Sequence, residues 1–415
     1  MRFRTLIVGD GRLQGFVFAA ALAWAVILLV LATEARGESA ANPGVDDDPA
    51  GAPYVAGELL VSYEQGTSEE TEAAVVRRSG ARTLQDLPGE TRLVSYPEIR
   101  DDASEAAREQ ALAQELRDLG QRANVEAADY NYIRTASFVP NDPKLDIQWG
   151  LTKTRFRGAW NDARGRGARV AIVDSGAASG HPDIGRIVAQ KDFVEDNAVA
   201  DDDFGHGTRV TGIAGALTDN GKGMAGACFK CGLLIAKVMN ARGDATDARI
   251  VKGIDWSLDH GAKVVNLSLG APGDSDVLRS EVNRARNRGA VVVAAAGNEG
   301  TTRRQYPAAY EKAIAVSATT KSDGLAYFSS RGDWVDLAAP GTGILSTRKS
   351  GGYGTQSGTS FSAPFVSGLA GLLASQGKSA YTIRHRMQES AVDLGPAGKD
   401  PRFGHGRINA DNAVR

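Results

Sequence analysis

The sequence predicts an α/β fold, a mostly parallel sheet with helices on both faces, preceded by a small α+β domain. Three observations predict it. From Phe138 onward, apolar runs of strand length alternate with segments of helical periodicity. Those runs are continuously apolar rather than alternating, as strands buried on both faces are. Before residue 138 the texture changes to alternating strands and charged amphipathic helices. A chain of 415 residues is long enough for one large domain and a smaller one.

The N-terminus stands apart from both. Arg2, Arg4 and Arg12 precede a nearly unbroken apolar run from Gly15 to Ala32, and small and polar residues follow. This reads as an export signal over 1–37, with cleavage after Ala35 or Gly37. The run is also close to the length that spans a bilayer, so an uncleaved N-terminal anchor is the alternative. Either way the remainder is expected outside the cytoplasm. Residues 38–54, rich in Gly, Pro, Ala and Asp, read as a linker.

The small domain is expected over 55–137. GELLVSYEQ alternates as a strand, and SEETEAAVVRRSG carries an N-cap and helical spacing. TRLVSYPE is a second strand, SEAAREQALAQELRDLG a charged helix, and VEAADYNYIRTAS a closing strand. In the large domain, 138–415, ARVAIVD, GLLIAKVM, AKVVNLSLG, AVVVAAAGN, KAIAVSATT and WVDLAAPG read as buried strands. DARIVKGIDWSLDHG and SDVLRSEVNRARNRG read as helices between them. Ligands of such sheets sit beyond the carboxyl ends of the strands. The net charge of −2 gives no reason to expect nucleic acid as a partner. Cys228 and Cys231 form a C-x-x-C pair, which fits a redox motif, half a zinc site or a small-loop disulfide. No further ligands cluster nearby, and export favours the disulfide.

The polar residues at strand ends carry the chemistry. Asp174 ends ARVAIVD, which alone is an ordinary turn aspartate. His206 opens an apolar helix between glycines in FGHGTRVTG. A general base must come from His181, His206, His260, His385 or His405, and His206 has glycines on both sides, at the start of an apolar helix, that leave room for a substrate. In SGTSFSAPFVSG the plain reading makes Thr359 a helix cap and Ser360 the first helical residue. The sharper reading is an exposed serine in the positive field of a helix N-terminus. Asp, His and Ser in that chain order are one of the known orders of a nucleophilic triad. Asn298, after a buried strand, offers a side-chain amide to a developing oxyanion, with the Ser360 backbone N–H as its partner.

With these residues in place, VAIVDSG, GHGTRVTGIAGA, VVNLSLG, VVVAAAGNEG and SGTSFSAPFVSGLAGLLASQG resemble the subtilisin-like serine proteases, closest to the thermitase branch. The resemblance runs from about Phe138 to the end of the chain. It implies a secreted serine endopeptidase acting through an acyl-enzyme, with Asp174 orienting, His206 as base then acid, Ser360 as nucleophile and Asn298 in the oxyanion hole. Ser268, Leu269 and Gly270 would bind the substrate backbone, with the loop 240–244 opposite. Ala295, Ala296 and Gly297 would line the specificity pocket, with bulky apolar residues preferred before the scissile bond. Residues 55–137 resemble the family's propeptide, a chaperone and intramolecular inhibitor removed by self-cleavage near Ser137–Phe138. Structural calcium is implied. A first site would use Asp142, Asp183, the Asn220 side chain and the carbonyls of Leu217, Lys222 and Met224; a second would use Asp192, Asn197, the Val199 carbonyl and Asp201. Protein or peptide substrates, a monomer, and membrane contact only through an uncleaved leader complete the expectation.

The chain also departs from the family. Arg209 stands where the family usually has a histidine, and Phe361, Ser362, Ala363 and Phe365 replace the usual residues after the nucleophile. None of these is a proton-transfer group, so they bear on substrate preference and rate. Two rival readings remain, a catalytically silent binding module on a protease fold and a processing protease with few targets.

Overall fold

The computed structural model describes residues 45–47, 53–100, 104–133 and 138–415, and the chain divides into two compact units between Thr135 and Ala136. The expected leader and Ser137 lie outside the described residues.

The first unit is antiparallel. Strands β1 (Val45–Asp47), β2 (Pro53–Tyr63), β3 (Arg82–Leu87), β4 (Thr91–Ser95) and β5 (Val125–Tyr132) form one sheet, with β2 bonded to β1, β4 and β5. Helices α1 (Glu69–Arg78) and α2 (Glu105–Leu119) begin at Ser68 and Ser104, whose hydroxyls accept from the N–H groups of Thr71 and Ala107. Leu59, Val61, Val75, Val76, Val94, Leu112 and Leu119 close the core, where Tyr54 stacks on Tyr130 at 4.4 Å. The expected linker differs at one point. Residues 45–47 pair with Pro53–Val55, and the buried Asp46 is held by Arg108 at 2.7 Å.

The second unit is built on a seven-stranded parallel sheet. Its strands are β6 (Arg169–Asp174), β7 (Ile187–Asp192), β8 (Gly232–Lys237), β9 (Val264–Leu267), β10 (Val291–Ala295), β11 (Ala313–Thr319) and β12 (Leu337–Pro340), in the order β12-β11-β10-β9-β6-β8-β7. Val170, Ala171, Ile172 and Val173 are fully buried. Each such Val or Ile contributes about 1.5–3 kcal/mol relative to exposure, which is why the runs are apolar throughout. On one face pack α3 (His206–Gly215) and the long helix α6 (Thr359–Ser375); on the other pack α4 (Asp247–Asp259) and α5 (Asp276–Asn287). An antiparallel hairpin, β13 (Ile344–Thr347) and β14 (Tyr353–Gln356), lies beside α3; β7 and this hairpin carry no strong sequence signal. Cys228 and Cys231 form a disulfide within the core.

Three neighbouring strands therefore end side by side. β10 leads into Asn298, β9 into Ser268, and β6 ends at Asp174.

Candidate active site

Asp174 is fully buried at the end of β6, and His206 is the first residue of α3. His206 Nδ1 lies 2.8 Å from Asp174 Oδ1, which also accepts the Ser175 N–H at 2.7 Å. Asp174 Oδ2 is buried without a partner. Glycine allows the close approach. A Cβ on Gly207 would sit 2.2 Å from the Gly176 carbonyl oxygen, and Gly176 itself has φ +103°. Burial works against the charged form of His206, but the charge and hydrogen bond of Asp174 outweigh it, so its pKa stands above the ordinary histidine value.

Ser360 is the second residue of α6. Thr359 is the first and does not cap: its hydroxyl donates to Asn298 Oδ1 at 3.1 Å and accepts the Gly297 N–H at 3.1 Å. Gly358 holds the cap position without a side-chain cap bond, and its carbonyl accepts the Phe361 N–H at 3.1 Å. Beyond the first turn α6 is buried almost all round, which fixes the serine on a rigid rod. Pro364, four residues on, has no N–H to give the Ser360 carbonyl. Ser268 Oγ supplies that bond at 2.8 Å, and is itself set by Asn266 Nδ2 at 2.9 Å, whose Oδ1 accepts from Ser367 at 2.8 Å. This buried chain ties β9 to α6. Ser360 Oγ donates to the Ser268 carbonyl at 3.2 Å, so its hydroxyl is not bonded to His206 in this structure.

Asn298 Oδ1 accepts the Thr359 N–H at 2.8 Å. With its oxygen held there, the amide nitrogen is the end left to donate. Gly297, at φ +102°, has no room for a side chain, since a Cβ would lie 2.7 Å from Gln305 Cγ and from Glu299 Oε2. Ala295 and Ala296 are buried beside it, while Leu269 and Gly270 emerge into solvent past β9.

Asp174 and Asn298 thus sit at strand ends, and His206 and Ser360 at helix starts. The profile of the subtilase family, Peptidase S8, matches residues 165–406, more than half of the chain. The chain belongs to the subtilase family. Residues 40–114 match the fervidolysin N-terminal prodomain. Thermitase of Thermoactinomyces vulgaris is 44% identical over 280 residues, 67% of this chain and 100% of its own length. A thermophilic serine proteinase of Bacillus sp. strain AK1 is 37% identical over 364 residues, 87% of this chain and 88% of its own. A solved protease from Pseudoalteromonas arctica covers 67% of this chain and 99% of its own at 28% identity, with a TM-score of 0.63. This subtilase is a serine protease with an N-terminal prodomain, and it hydrolyses peptide bonds.

Sequence reasoning missed Asp202. Asp202 is buried and accepts five hydrogen bonds. Oδ1 takes Ser175 Oγ and the Phe204 and Gly205 N–H groups; Oδ2 takes the N–H and hydroxyl of Thr208. Ser175 Oγ accepts the Gly207 N–H at 2.8 Å. Asp202 therefore clamps the loop that presents His206.

The two expected cation sites differ. Asp142 and Asp183 are buried together, and Asp142 Oδ1 has no hydrogen-bond partner. Asp183 accepts from Asn220 Nδ2, the Met224 N–H and the Tyr353 hydroxyl. A bare buried carboxylate oxygen in the field of a second carboxylate fits a hard cation. The second set does not fit. Asp192 is committed to the Val194 and Glu195 N–H groups and to the Lys237 ammonium at 3.1 Å, Asn197 Oδ1 accepts the Val199 N–H, and Lys237 also pairs with Asp203 at 2.5 Å. The buried Lys237 is itself the cation there.

Proposed function

We propose that this subtilase is an exported endopeptidase that cleaves through Asp174, His206 and Ser360 and frees itself from its own prodomain. The observation that carries the reading is the 2.8 Å contact of His206 Nδ1 with buried Asp174 beside a serine at a helix N-terminus. With a peptide in the cleft, the Ser360 hydroxyl turns from the Ser268 carbonyl and attacks the scissile carbonyl carbon. His206 Nε2 takes the hydroxyl proton, and Asp174 holds the tautomer and stabilises the imidazolium. Asn298 Nδ2 and the Ser360 N–H bind the oxyanion. His206 then protonates the leaving amine, and water repeats the sequence on the acyl-enzyme.

Residues 268–270 would take the acyl side of the substrate as an added strand. Beyond them lies a cavity of about 120 Å³, lined by Met239, Ala245, Ile250, Leu269, Leu278 and Tyr306 among others, which suits a bulky apolar side chain. Residues 55–137 would act as chaperone and inhibitor. Cleavage before Phe138 suits the seat of that residue, whose N–H donates to Asn161 Oδ1 at 2.7 Å and whose ring stacks on Phe229 at 5.6 Å. Asp142, Asp183, Asn220 and the carbonyls of Leu217, Lys222 and Met224 would hold calcium, which would supply structural charge and take no part in the reaction. The Arg-flanked apolar leader supports export. Among the described residues no helix is long and apolar enough to cross a membrane.

The test expresses the chain without residues 1–37, as wild type and as Ser360→Ala, and follows its mass with calcium present. Wild type trims itself near residue 137 and hydrolyses casein, while Ser360→Ala stays full length. A folded wild type that stays full length and inert would contradict the reading.

A further inference from the structure

The cleft is chemically lopsided about His206. On the Ser268–Gly270 side most side chains lining the cavity are apolar, and its one charged residue is the acid Asp247. On the other side lies a second cavity of about 320 Å³, bordered by His206 and Phe361, whose walls include Arg209, Arg348 and Lys349 and no carboxylate. The two cavities share no residue. His206 delivers a proton to the leaving amine, and Phe361 directly follows the nucleophile. A cavity bounded by both, away from the strand that takes the acyl part, belongs to the leaving half of the substrate.

The cations there outnumber the acids, although Lys349 also borders a cavity with Asp201 and Asp202 and the charge of Asp202 acts on Arg209. Among the described residues none of the three forms a salt bridge; Arg209 donates to the Gly354 carbonyl at 3.3 Å and Lys349 to the Asp203 carbonyl. Gly354 makes room for Arg348, since a Cβ there would sit 2.1 Å from the guanidinium. The nearest buried carboxylate, Asp202, is already saturated by protein donors. Arg209 is half-buried, and both desolvation and the charge of Arg348 press on it. A guanidinium pair with free donors is matched in shape and charge by a carboxylate.

We infer that this cavity receives an acidic side chain from the first two residues after the scissile bond, so that peptides with Asp or Glu there are the favoured substrates. The inference rests on the serine-protease reading above. It concerns intermolecular cleavage. At the chain's own junction the residues are Phe138 and Val139, and an intramolecular cut does not need the added attraction.

The test uses the self-processed protein and three quenched fluorescent peptides with one acyl half. They carry Glu, Gln or Lys at the two positions after the cut. A nitroanilide of the same acyl half, which has no residues after the cut, reports the protease reading alone. The Glu peptide is expected to exceed the Lys peptide in kcat/KM by about tenfold at low salt, with the ratio shrinking as salt rises. In Arg348→Gln/Lys349→Gln the ratio falls toward one. If wild type cleaves the nitroanilide but treats the three peptides alike, or if the double variant keeps the full ratio, the inference is overturned and the protease reading stands. If wild type cleaves neither class, both are overturned.

Discussion

Asp174 and Asp202 flank His206, both buried, and they are satisfied in opposite ways. Asp202 spends both oxygens on five protein donors. Asp174 shares one oxygen between His206 and the Ser175 N–H, and leaves the other bare. A saturated carboxylate holds a shape. A bare buried oxygen keeps its full negative potential for a positive charge that arrives later, in the proposed mechanism the imidazolium that would form as Ser360 gives up its proton. The same signature recurs at Asp142, where the arriving charge would be a cation.

The largest break in this comparison is Asp174→Asn. It keeps the volume and removes the charge, so kcat should fall on the order of 10⁴-fold with little loss of fold, read by nitroanilide kinetics and circular dichroism. Chelation comes next. Removing calcium should lower stability by about 4 kcal/mol if the site is normally held at a thousandfold over its Kd, seen as a drop in Tm. The drop should disappear in Asp142→Ala and persist in Asp192→Asn, because Lys237 already neutralises that loop. Asp202→Ala should cost about 3 kcal/mol of stability through its orphaned donors. It should lower kcat far less than Asp174→Asn; equal kinetic damage in a folded Asp202→Ala protein would erase the division of labour.

The smallest effect is on pH. Protonated His206 cannot accept the Ser360 proton, so kcat/KM falls as pH drops through the His206 pKa. That pKa is raised, which places the acid limb above the ordinary histidine value, about 6.5. The charge of Arg209 pulls it down. Arg209→Gln should therefore move the acid limb to higher pH, and a shift to lower pH would contradict the electrostatics described here.

The triad and the sheet were legible because residue type, chain order and apolar continuity carry them. Asp174, His206, Ser360 and Asn298 each sit at a strand end or helix start that the sequence marks. Asp202 was not legible, since nothing in DDD distinguishes the residue that folds inward from its solvated neighbours. Lys237 left a signal that was passed over: a lysine inside the apolar run GLLIAKVM must be paired if the strand is buried. β3 has no buried residue along its length, so no alternation marks it. The β13–β14 hairpin is short and mostly polar, and becomes a wall of the site only once Arg348 and Lys349 are seen beside His206. The reversal at Thr359 was missed because a hydroxyl before a helix usually caps it; here it is drawn off to Asn298.

The central claim is that Ser360 is made nucleophilic by His206 and Asp174. It is tested most directly by treating the self-processed protein with a fluorophosphonate and locating the adduct by peptide mass. One adduct on Ser360, lost in His206→Ala and strongly slowed in Asp174→Asn, is the predicted result. An adduct on another residue, or labelling of Ser360 at an unchanged rate without His206, would contradict it.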